Sequence, residues 1–178
     1  MIPGKAPIVW SKLTRFLHWG LVLCVAANFI NDGDGVKDIH RKVGLLAAAF
    51  VGVRLAYGFF GKDSTFKHHL FKYWPLAPRE LVQFLKQDLS GGKPADYEGH
   101  NPAASWTYVG IWIIVLSLAL TGFMMGLDAF WGEEWLEDLH GGLTKVLIVF
   151  LIIHGLGLIK DTIKHKRPAW KRMITGGY

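Results

Sequence analysis

The chain reads as an all-α integral membrane protein, a four-helix bundle with one short helix on the cytoplasmic surface. Three observations predict this class. The 178 residues are 51% hydrophobic, and the apolar ones collect in blocks instead of spreading evenly. Four such blocks, at about 13–31, 39–60, 103–127 and 137–160, each come near the roughly 20 residues that span a bilayer as a helix. Acidic residues dominate two of the connections, whereas lysine and arginine crowd the remaining segments. No internal repeat or low-complexity tract interrupts the pattern, so the chain is read as a single membrane domain.

The first block is the weakest. Phe16 to Ile30 is short, holds His18 and Asn28, and follows Lys5, Lys12 and Arg15, much like the apolar core of a signal peptide. No small-residue cleavage site follows Asn28, and three further spans need a fourth partner, so it is read as a span. Gly33 and Gly35, among aspartates, make a tight connection to the second block. Within the long third connection, Pro78 to Leu89 (PRELVQFLKQDL) places Leu81, Leu85 and Leu89 four residues apart, with Arg79, Glu80, Lys86 and Asp88 elsewhere. That spacing predicts a short amphipathic helix on the membrane surface. Gly91-Gly92-Lys93-Pro94 ends it. Asn101-Pro102 is an ordinary helix-start pair ahead of the third span. Trp131 and Trp135 on one side, and Trp10, Trp74 and Trp170 on the other, sit where interfacial aromatic belts are expected.

Charge sets the orientation. The N-terminal segment, the 61–102 connection (Lys62, Lys67, Lys72, Arg79, Lys86, Lys93) and the tail (Lys160, Lys164, Lys166, Arg167, Lys171, Arg172) are basic. The other two connections are acidic, with Asp32, Asp34 and Asp38 in one and Asp128, Glu133, Glu134, Glu137 and Asp138 in the other. Basic residues stay on the cytoplasmic side, which puts both termini and the long connection there. Topology thus accounts for the net charge of +6, and no nucleic-acid partner is called for. The tail KHKRPAWKR also suits anionic lipid, at about 1 kcal/mol per cation near the surface.

Four histidines, His18, His40, His140 and His154, lie in or at the edge of the apolar blocks. A polar ring in hydrocarbon is costly, so each is a functional-site candidate. His140 and His154 are fourteen residues apart on one helix, about 21 Å along its axis and roughly 40° short of four turns. Two imidazoles then point the same way at different depths. Tracing the spans from the charge-derived orientation matches His18 with His154 near the inner face and His40 with His140 near the outer face. Histidine on both axial faces is a standard way to hold a haem iron, so the arrangement points to two stacked haems. Cys24 stands alone, which excludes an internal disulfide and covalent c-type attachment, and any haem is b-type and non-covalent. Gly20, Gly44, Gly141, Gly142, Gly155 and Gly157 lie near the ligands and would admit a flat macrocycle, or serve plain helix packing.

Other polar residues fit around that frame. Arg54, fourteen residues after His40, faces nearly the same way and either meets the inner haem's propionates or snorkels to the cytoplasmic surface. Arg41 and Lys42 meet the outer propionates or the interface. Lys145 lies about 140° round the helix from His140 and is assigned to neither haem. His68, His69 and His165 sit in basic segments and read as solvated.

His18 in RFLHW, His40 in DIHRKVG, the GHNPAAS segment from Gly99, LHGGL and IIHG on the last span, and the terminal RMITG together resemble the bacterial cytochrome b561 family. That family is similar to the b-type cytochrome subunits of nickel–iron hydrogenases and the membrane subunit of formate dehydrogenase. The resemblance covers nearly the whole chain. It implies two bis-histidine haems in a bacterial inner-membrane bundle, moving electrons between the quinone pool and a redox partner. It also places His100 and Asn101 near the inner haem and a quinone site, against the plainer reading of a helix start. The chain has no long extra loop for an iron–sulfur protein, so a c-type cytochrome or other periplasmic redox protein fits as well as a hydrogenase-type complex.

Three function classes follow. An electron carrier without substrate chemistry is favoured over a stand-alone oxidoreductase. A haem-based enzyme acting on quinone with superoxide or ferric iron would need an exposed haem edge or a pocket near His100. A zinc or proton transporter would need carboxylates within the spans, and none lies well inside them.

Overall fold

The computed structural model describes residues 10–31, 37–61, 70–91, 100–166 and 168–176. Gly33 and Gly35, Lys62 and Lys67, His68 and His69, Gly92 to Pro94, Lys5 and Arg167 lie outside them, as does the His165 side chain. Among the described residues six α-helices follow in order: α1 (Lys12–Ile30), α2 (Lys37–Phe60), α3 (Pro78–Leu89), α4 (Pro102–Met124), α5 (Glu134–His165) and α6 (Arg172–Thr175). Four of them, α1, α2, α4 and α5, are long and apolar enough to cross a membrane. Leu23, Ile113 and Leu156 on these helices are 60–68% exposed, a condition water would not tolerate over so much surface and lipid does. The protein is an all-α membrane bundle.

Local chemistry explains the helix starts. Ser11 caps α1, its hydroxyl accepting the Thr14 N–H at 3.2 Å. Asn101 caps α4 in the same way, its side-chain oxygen accepting the Ala104 N–H at 2.8 Å, with Pro102 in the first helical position. Acidic residues occupy the first turns of α2 (Asp38), α3 (Glu80) and α5 (Glu134, Glu137), where the helix dipole favours them. At the far end Gly176 closes α6 with φ 92°, a left-handed cap that glycine adopts without Cβ strain.

Packing divides the chain into two compact units, whose boundaries fall inside the four long helices. The first comprises residues 1–15, 56–109 and 153–178. Its described residues hold ten lysines and arginines against three acids. Here Arg15 donates to the Ile174 carbonyl, Trp10 N–H to the Gly176 carbonyl at 3.0 Å, and Lys160 and Lys164 of α5 pair with Asp88 of α3. Helix α3 has the boundaries its spacing predicts, and Leu85 and Leu89 lie together on its exposed apolar face. Leu81, Phe84 and Asp88 turn inward, whereas Val82, Leu85 and Leu89 form the exposed apolar stripe.

The second unit comprises residues 16–55 and 110–152, and its described residues carry five basic against six acidic side chains. All four long helices feed one core there: Cys24, Ala47, Val51, Ile111, Ile114, Val115 and Leu147. Glycines act as sockets for rings. A Cβ on Gly20 would strike Phe50, and one on Gly110 would strike Phe150. Gly20 is therefore filled by a neighbouring side chain, whereas Gly141, Gly142, Gly155 and Gly157 meet nothing within 4 Å. Gly110→Val is expected to destabilise the bundle by about 1–3 kcal/mol through overpacking, read as a lower unfolding midpoint in detergent.

Candidate cofactor site

Two of the four span histidines meet in the second unit. His40, on the first turn of α2, and His140, near the start of α5, have ring centroids 6.2 Å apart and planes inclined at 59°. Each ring is held from behind through Nδ1. His40 Nδ1 lies 3.0 Å from the Asn31 carbonyl oxygen. An oxygen of that kind only accepts, so Nδ1 carries the proton and Nε2 the metal-binding lone pair. The acceptor is available because Asn31 follows the last turn of α1, where carbonyls lack an intrahelical donor. His140 Nδ1 lies 2.8 Å from the Thr121 hydroxyl of α4. That hydroxyl gives its own proton to the Ser117 and Leu118 carbonyls at 3.0 and 3.1 Å, so it accepts from His140. Gly122 beside it leaves room for the imidazole, with Cε1 3.5 Å from where a Cβ would stand.

Arg41 follows His40 directly, whereas Arg54 lies fourteen residues further along α2 in the same unit. Arg41 pairs with Asp38 at 3.5 Å, and its guanidinium lies where a Cβ on Gly126 would otherwise be. Lys42 pairs with the same carboxylate at 2.5 Å. Arg54 is only 6% exposed and sits over the Trp112 ring at 5.4 Å. It does not snorkel. A cation held over an aromatic face inside a span is stabilised where a solvated one could not be.

The other two histidines fall in different units, His18 in the second and His154 in the first. His18 makes an edge contact with Trp19 at 5.5 Å. His154 contacts Tyr108 at 5.3 Å, and Tyr108 contacts His100 at 4.9 Å. His100 is further enclosed by Trp10 at 4.7 Å and Trp74 at 4.2 Å. Those two tryptophans are not belt residues. They are 4% and 7% exposed, packed on His100, whereas Trp131, Trp135 and Trp170 are exposed as a belt requires. The aromatic box links His100 to His154 through one tyrosine, and Asn101 beside it serves as a helix cap.

A family model described as prokaryotic cytochrome b561 matches residues 9–176. The chain belongs to that family. No curated protein and no solved structure matches significantly. Members of the family are b-type membrane cytochromes in electron transfer, which generally interact with quinones and redox partners.

The residues present fit the haem such a cytochrome carries. Among the described residues no three His, Cys, Asp or Glu side chains converge to hold a bare metal ion. A porphyrin supplies four donors itself and asks the protein only for axial ligands. A metal-bound imidazole nitrogen lies about 2 Å from the metal with the ring centre roughly an ångström beyond, so two axial rings stand about 6 Å apart. The His40–His140 couple has that separation in this b561-family bundle. Both rings also make the outer hydrogen bond that ligating histidines almost always have.

Some participants had no signal in the sequence. Thr121 is one of several hydroxyl residues in an apolar span, nineteen residues before His140, and nothing local ties it to that ring. The Asn31 contribution is a backbone carbonyl and carries no side-chain signature at all. Tyr108 and Trp74 look like interfacial aromatics until their contacts with His100 are known.

Proposed function

We propose that this b561-family cytochrome binds two non-covalent b-type haems and carries electrons across the bacterial inner membrane. It would connect the quinone pool with a redox partner such as a periplasmic c-type cytochrome. The observation that carries the reading is the His40–His140 couple, with both Nδ1 protons already committed. In the proposal His40 and His140 hold the outer iron, and His18 and His154 hold the inner one. The fourteen-residue register of His140 and His154 separates the two levels by about 21 Å.

When bound, haem b supplies the one-electron couple. This chain's residues bind it, orient it and tune it. Asn31 and Thr121 lock the ring tautomers. Arg41 at the outer level and Arg54 deeper in the bundle place fixed cations for propionates, and cations near a haem favour its reduced state. The aromatic box around His100, joined to His154 through Tyr108, supports a quinol site on the inner side. The excess of basic residues in the first unit supports cytoplasmic termini and contact of the tail with anionic lipid.

The test is a pyridine haemochrome count with a reduced-minus-oxidised spectrum on the full-length protein, expressed with ample haem. Two b-type haems per chain are expected, reducible by a short-chain quinol. A colourless protein, or a single haem, would overturn the dihaem reading.

A further inference from the structure

The two ligands of the outer couple are supported by acceptors of different kinds. Behind His40 stands a main-chain carbonyl, which no side-chain substitution removes. Behind His140 stands a side-chain hydroxyl, 5% exposed in the core of the second unit. That hydroxyl is anchored in turn, because its proton goes to the Ser117 and Leu118 carbonyls of its own helix. The result is a directed chain, from His140 Nδ1–H to Thr121 Oγ1 and on to the α4 backbone. Its direction fixes the tautomer of His140 and leaves Nε2 for the metal.

We infer that Thr121 is a positioning residue for the outer haem, holding the His140 ring and setting its donor strength. The inference rests on the reading of His140 as an iron ligand. A hydrogen bond accepted from Nδ1–H draws the proton away from the ring and makes Nε2 a stronger donor. A stronger donor favours the more charged, oxidised iron and lowers the reduction potential. Thr121 is therefore a side chain at which sequence change can adjust that potential without touching either ligand. Valine matches threonine in shape and lacks the acceptor, so Thr121→Val isolates the hydroxyl. Serine keeps the acceptor and drops the methyl group.

The experiment is potentiometric titration and low-temperature EPR of the full-length, haem-loaded protein carrying Thr121→Val, Thr121→Ser or His140→Ala. Thr121→Val should keep two haems and raise one of the two potentials. The expected size is about fivefold in the oxidised-to-reduced ratio, an ordinary hydrogen bond's contribution, or roughly 40 mV at 59 mV per decade. The g-values of that haem should shift with it, and Thr121→Ser should match the unsubstituted protein. Selective loss of one haem in Thr121→Val, with helix content and Thr121→Ser intact, would equally support the role. Unmoved potentials and g-values in Thr121→Val overturn it, as does a Thr121→Ser shift as large as that of Thr121→Val. His140→Ala separates the two levels of inference: if it retains both haems, the ligand assignment fails and this inference falls with it. If it loses one while Thr121→Val changes nothing, only the inference about Thr121 fails.

Discussion

His140→Ala is expected to remove one of two haems and leave the bundle folded. A non-covalent haem held by two imidazoles loses half of its iron–protein bonding when one is truncated. The partner His40 is then left with its Nδ1 fixed on the Asn31 carbonyl and cannot reorient to compensate. The pyridine haemochrome value should fall from two to one per chain. His40→Ala should remove the same haem, so the double variant should be no worse than either single one. That non-additivity is the signature of two residues sharing one function. Should the double variant lose both haems where each single variant loses a different one, the 6.2 Å couple would not be a ligand couple.

The second large effect is at the inner level. His154→Ala is expected to remove the other haem, and the doubly substituted His18→Ala/His154→Ala protein should still hold one. The crossed combination, His18→Ala with His140→Ala, should hold none, because each substitution strikes a different iron. Optical spectra of the single variants should differ, since His40 and His140 are supported by a carbonyl and a hydroxyl whereas His154 packs against Tyr108. Retention of two haems in His154→Ala would contradict the inner pairing.

Much of this architecture is legible in one dimension. A membrane span is a local property, because the backbone must satisfy its own hydrogen bonds in lipid and does so as a helix wherever about 20 apolar residues run together. Helix ends are local as well. Ser11, Asn101 and the Pro78–Leu89 segment act where their residue types say they should. His140 and His154 share one helix face through a register that any reader can count.

What stays hidden is whatever depends on neighbours from distant parts of the chain. Trp10 and Trp74 have the composition and position of belt residues, yet they are drawn inward because His100 offers a ring to pack on. The ion pairs that hold Asp88 of α3 to Lys160 and Lys164, more than seventy residues away, have no local signal either.

The amino-acid order by itself determined the all-helical membrane class, the four spans and the candidate ligand set, since hydropathy and helical register act over a few turns. Only the tertiary structure decided which groups stand behind the candidate site residues: the Asn31 main-chain carbonyl for His40, the Thr121 hydroxyl for His140, and Trp112 beneath Arg54. The reason is directional. Burial can be forecast from composition, but a hydrogen bond or a ring contact exists only when two helices bring particular atoms within about 3 to 6 Å of each other.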